Sequence, residues 1–136
     1  MLHPDQFQVN EAWIAFRLNE WPVHTEQDGD FDIFAFMDAA SCFLLSSRPV
    51  PATGRGEGPG KLESRRLLKQ AKAHKRRWPK TLFLPREQPA LSIVAEAKRQ
   101  GIVVVHVPED QLLPFISDAR EGFRESFNGP QAEQHD

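Results

Sequence analysis

Cysteine occurs once in this 136-residue chain, at Cys42. A lone cysteine excludes an internal disulfide and any cysteine-based metal cluster, and it fits a reducing compartment. Long apolar runs are also missing. The longest, such as residues 33–37, reach about five residues, far short of the roughly 20 a membrane span needs. The opening MLHPDQFQVNE lacks the basic and apolar regions of a secretory signal. These absences predict a cytoplasmic protein without membrane contact.

Familiar chemical signatures are absent as well. No G-x-S-x-G elbow occurs. The glycine-rich GRGEGPGK ends in Gly60 and Lys61, but a phosphate loop needs glycine where Arg55 stands and Ser or Thr where Leu62 stands. A G-x-G-x-x-G reading fails at Pro59. Asp28, Asp30 and Asp32 have the alternation of a calcium loop, yet Ile33 and Ala39 replace its glycine and glutamate. The histidines (3, 24, 74, 106 and 135) show no zinc spacing. Cys42, beside Phe43 and Leu44, reads as a small core residue of a strand. No cofactor, metal site or catalytic residue follows from these patterns.

What the chain does hold is a split charge. Residues 1–38 carry eight acids against Arg17 alone, and residues 61–80 carry nine bases against Glu63 alone. Such a chain neutralises itself on folding, with the acidic third beside the basic segment, or presents a basic face to an anionic partner.

Hydrophobic patterning predicts the elements. EAWIAFRL reads as a strand, NEWPVHTEQDGD as a loop, and FDIFAFMD as a central strand buried on both faces. After the turn at DAAS, CFLLSS returns as the third strand of a meander. In that turn Asp38 is expected to accept backbone N–H bonds. KLESRRLLKQAKAHKRRW is a helix closed by Pro79, with Leu67, Leu68, Ala71 and Trp78 on its apolar face. KTLFL is a strand. QPALSIVAEAKRQ is a helix with Pro89 near its start and Gly101 at its stop. IVVVHV is a buried strand with His106 at its end, where ligands often bind. In the last helix Leu112, Leu113, Ile116, Ala119 and Phe123 share a face, and Pro114 sits in the tolerant first turn.

The resulting expectation is an α/β single domain over residues 11–127, of order β-β-β-α-β-α-β-α, with a five-stranded mixed sheet flanked by helices. Residues 1–10 form an N-terminal extension, 48–60 a flexible Gly/Pro loop and 128–136 a polar C-terminal tail.

That order resembles the ribonuclease H-like fold. DIFAFMDAASCFLL resembles the second and third strands of retroviral-type integrase and transposase cores, with Asp38, Ser41 and Phe43 at matching places. RRWPKTLFL resembles the following helix and strand, and KRQGIVVVHVP a later step, so the likeness spans residues 11–107. The resemblance implies carboxylates holding two divalent metals about 4 Å apart. The catalytic carboxylates are missing or displaced. The first strand offers no acid between Glu11 and Glu20, and Pro85 and Arg86 precede Glu87 where the second acid belongs. The last helix offers Glu109, Asp110, Asp118 and Glu121. Asp38 matches a position that is not a metal ligand.

The leading reading is a non-catalytic ribonuclease H-like binding domain. Arg65, Lys69, Lys72 and Arg76, at i, i+4, i+7 and i+11, form one helical stripe that suits an anionic partner, nucleic acid or an acidic protein surface. The same stripe can also be an ordinary solvated face. Two alternatives remain. One is a metal-dependent nuclease using Asp38, Glu87 and Glu109. The other is a protein-interaction scaffold without nucleic acid. The oligomeric state is not legible in the sequence.

Overall fold

A computed structural model describes residues 2–20, 23–27, 29–51, 58–88 and 90–134. Among the described residues, six strands and three α-helices occur in the order β1 (Ala12–Arg17), β2 (Val23–Thr25), β3 (Gly29–Asp38), β4 (Leu44–Pro51), α1 (Lys61–Lys75), β5 (Thr81–Pro85), α2 (Leu91–Arg99), β6 (Val103–Val107) and α3 (Leu113–Gln134). They build one open mixed sheet. β3 pairs antiparallel with β1, β2 and β4, whereas β1–β5 and β5–β6 are parallel.

The continuous apolar runs are explained by burial on both faces. Trp13 and Ala15 of β1, with Phe34 and Phe36 of β3, join Leu67, Leu68 and Ala71 of α1 and Ile93 and Ala97 of α2. The alternate residues Ile14, Phe16, Ala35 and Met37 join Phe115 and Ile116 of α3. Each large apolar side chain so buried contributes roughly 1.5–3 kcal/mol.

The structure departs from expectation at several places. The sheet has six strands, not five, because β2 lies within the segment read as loop. Three residues are too few to show an apolar period; β2 exists because β3 starts at Gly29 and offers it an edge, with Thr25 opposite Gly29. Between β1 and β2, the Asn19 side chain substitutes for the ladder. Its Oδ1 accepts from the Ile33 N–H at 2.7 Å and its Nδ2 donates to Asp32 at 3.2 Å. β4 begins at Leu44 and continues through Pro51, so residues 48–51 of the expected loop are strand; an edge position tolerates its prolines. Residues 52–57 of that loop, Asp28 and Pro89 lie outside the described residues.

Cys42 is not in a strand but in the β3–β4 turn, with φ of 59°. Burial, followed by the charges of Asp118 and Asp38, pushes its thiol pKa up, which opposes thiolate formation. β6 is an edge strand rather than a buried one, with His106 exposed. Of the face expected on the last helix, Leu112, Ile116, Ala119 and Phe123 do pack on the core, whereas Leu113 is exposed and Phe115 is buried in its stead. That helix runs on to Gln134, through most of the expected tail.

The end of α2 was legible. Gly101 has φ of +79°, its N–H donates to the Lys98 carbonyl at 3.0 Å, and the Ile102 N–H reaches the Ala97 carbonyl at 3.1 Å. This double closure needs a left-handed residue, which glycine supplies at least cost. Among the described residues, no helix is long and apolar enough to cross a membrane.

Candidate anion-binding groove

All four predicted cations, Arg65, Lys69, Lys72 and Arg76, line one groove of about 860 Å³ between α1 and α2, together with Trp78, Glu96 and Arg99. They do not share one helical stripe. α1 ends at Lys75, and Arg76 takes a left-handed conformation with φ of 67°, its N–H donating to the Lys72 carbonyl. Arg76 nevertheless lies on the groove wall, as the cap that follows the helix rather than as a member of its face.

The apolar part of the groove comes from packing. Leu68 is buried at its base, and half-buried Trp78 lies 6.0 Å, ring to ring, from the core Trp13. Lys72 Nζ sits 4.8 Å from the Trp78 ring centroid. A cation over an aromatic face contributes about 0.5–1 kcal/mol at an exposed site, and it fixes this ammonium at the groove.

One acid opposes the cations. Glu96 is only 5% exposed and is held by both arginines of the rim. Arg65 Nε donates to its Oε1 at 3.0 Å, and Arg99 Nη1 to the same oxygen at 3.3 Å. Five cations face one carboxylate, so the lining carries a net charge of +4 by formal count. Among the described residues, the α1 bases seen in ion pairs, Arg65 and Arg66, pair with Glu96 of α2 and Glu63 of α1 and not with the acidic N-terminal third. Sequence spacing could not have identified Glu96, Arg99 or Trp78 as part of this groove, because the sheet is what sets α1 and α2 side by side.

The carboxylates considered for metal chemistry lie apart. Asp38 ends β3 opposite Trp13, near the start of β1. Glu87 follows β5 at the other end, where the Arg17 N–H donates to the neighbouring Gln88 at 2.7 Å. The four residue steps from Trp13 to Arg17 span about 13 Å of strand. Asp38 is fully buried. Its Oδ1 accepts the Asn10 N–H at 2.7 Å, and its Oδ2 accepts the Ser41 N–H at 3.0 Å and the Ser41 hydroxyl at 2.7 Å.

Glu87 and Glu109 do meet, in a different arrangement. The Glu109 backbone N–H donates to Glu87 Oε1 at 3.0 Å, while Glu109 Oε1 receives Gln88 Nε2 at 2.9 Å and pairs with Arg120 at 2.6 Å. A bound arginine takes the place that a cation would need. Among the described residues, no three His, Cys, Asp or Glu side chains are grouped to hold a metal ion. Asp30 pairs with His24 at 2.5 Å at the β2–β3 edge.

No family model matches the chain, and no curated protein matches it. Among solved structures, a chain in the cryo-EM structure of the simian T-cell lymphotropic virus intasome in complex with PP2A regulatory subunit B56 gamma is similar to it, with 14% identity and a TM-score of 0.49. That likeness covers 88% of this chain and 37% of the other, so this chain spans little more than a third of its length.

Proposed function

We propose that this domain is a non-catalytic binding module of ribonuclease H-like fold that holds a nucleic-acid strand along the groove between α1 and α2. The observation that carries the reading is the convergence of Arg65, Lys69, Lys72, Arg76 and Arg99 on one groove with an aromatic wall. Phosphates are recognised chiefly by charge, and bases stack on aromatic faces without regard to sequence. The sheet path β4-β3-β1-β5-β6 supports the fold assignment: an antiparallel meander feeds two parallel crossover strands, with α1 and α2 as the crossovers. The separation of Asp38 from Glu87 counts against the nuclease alternative.

The reading is tested by anisotropy of a labelled oligonucleotide across a salt series. Single-strand binding through three or four phosphates gives a log–log slope of about −2 to −3. Lys69→Glu is expected to weaken binding about tenfold, alike for all sequences, and to flatten the slope by about 1. A slope near zero, or affinity unchanged in Lys69→Glu, ends the proposal. Binding to polyglutamate but to no oligonucleotide transfers the groove to an acidic protein partner.

Glu96→Gln tests the same groove in the opposite direction. It removes the one opposing charge and releases two guanidinium groups. The expected result is binding several-fold tighter at low salt, with the gain lost at high salt as screening takes over. Weaker binding by this variant would show that Glu96 orients the arginines for the ligand rather than restraining them.

A further inference from the structure

The two edges of the sheet are built differently. β4 carries Arg48, Pro49 and Pro51, and a charge and prolines are what natural edges use against further pairing. β6 has none of these. It reads Val103-Val104-Val105-His106-Val107, it ends the strand order, and Val103 is 61% exposed.

Its polar groups alternate in a defined way. The Val103 N–H donates inward to the Lys80 carbonyl at 3.0 Å, and the Val107 carbonyl accepts from the Arg86 N–H at 2.8 Å. Residues 103, 105 and 107 therefore direct their backbone groups at β5, and Val104 and His106 direct theirs outward. The charges flanking the strand also have a direction. Lys98 precedes it at the end of α2 and Asp110 follows it, while the adjoining Arg99 and Glu109 are already paired with Glu96 and Arg120.

The geometry points to β6 as the interface of a twofold dimer, in which β6 pairs antiparallel with β6 of a second copy and one sheet runs through both. With the axis at Val105, Val104 of each copy faces His106 of the other, and each such pair exchanges both its N–H···O=C bonds. Val103 faces Val107 of the second copy, which covers the exposed valine. The basic end of each strand meets the acidic end of the other on both sides of the axis. A parallel arrangement would set like charges together, so the charge pattern selects the antiparallel one. This inference is independent of what the groove binds.

Sedimentation of the full chain between about 1 and 100 μM, the range where edge pairing of modest area associates, is the test. The expected result is a species of twice the 15.5 kDa chain mass. His106→Pro removes an outward N–H from an exposed residue and leaves the β5 ladder whole, so it is expected to give a monomer with unchanged circular dichroism. Charge reversal supplies a second route that does not touch the strand. Lys98→Glu and Asp110→Lys should each weaken the dimer about tenfold, and the double variant should restore it. A monomer at every concentration overturns the inference. So does a dimer that persists in folded His106→Pro, or a double variant no better than either single.

Discussion

Arg120→Ala is expected to lower the stability of the domain by about 3 kcal/mol, read as a fall in the urea midpoint at unchanged slope. Arg120 is 7% exposed, and its guanidinium lies at the end of β1. Its Nε and Nη2 donate to the Arg17 carbonyl at 3.2 and 3.0 Å, and Nη2 pairs with Glu109 at 2.6 Å. Deleting it leaves that carbonyl without its side-chain donor and the Glu109 carboxylate without its charged partner in a half-closed site. Breaking a buried pair costs about 3–5 kcal/mol. Glu109 is partly exposed and keeps the Gln88 amide at 2.9 Å, so the lower end of that range applies. Arg120→Lys should recover less than half of the loss, because one ammonium cannot reach two acceptors as a planar fork does. An Arg120→Ala midpoint within error of wild type would show that solvent satisfies this site.

These contacts illustrate where sequence reading reaches its limit. The apolar runs at residues 13–16 and 34–37 are local, and burial on both faces follows from the residues themselves. The same rule misjudged β6, because an apolar run of five residues is equally compatible with a central strand and with an open edge. The basic character of α1 was plain, but the groove is not a helical stripe. Arg76 reaches it through a left-handed residue, and Arg99, Glu96 and Trp78 reach it through packing across the sheet. Arg120 and Arg17 are 103 residues apart, and no periodic signal links them. Asp38 is the intermediate case. Its turn role is local and was visible in DAAS, but its bond to Asn10 depends on how the N-terminal segment returns to the sheet.

That bond makes Asp38→Ala the sharpest test of whether this carboxylate is structural. The substitution removes the acceptor of two backbone N–H groups and one hydroxyl; the Asn10 N–H is buried away from solvent, whereas the Ser41 groups lie at an exposed residue. Leaving a buried donor unsatisfied costs about 1–3 kcal/mol, and Ser41 can turn its hydroxyl elsewhere, so a total loss of about 3 kcal/mol is expected. Asp38→Asn keeps one carbonyl oxygen but must point an NH₂ at one of the remaining donors, which sets its loss at about 1–3 kcal/mol. The effect should extend beyond the turn. Asn10, held by Asp38, accepts the Trp13 indole N–H at 2.7 Å and donates to the Arg77 carbonyl at 3.3 Å, next to Trp78. Loosening Asn10 therefore loosens the groove wall at Trp78. Folded Asp38→Asn should bind an oligonucleotide several-fold more weakly at every salt concentration, with the salt slope unchanged, because no phosphate contact is lost. A metal-binding acid behaves differently: its neutral variant removes like-charge repulsion and commonly gains stability while losing divalent-cation dependence. Asp38→Asn that is more stable than wild type, with binding or cleavage newly insensitive to Mn²⁺, would overturn the structural assignment.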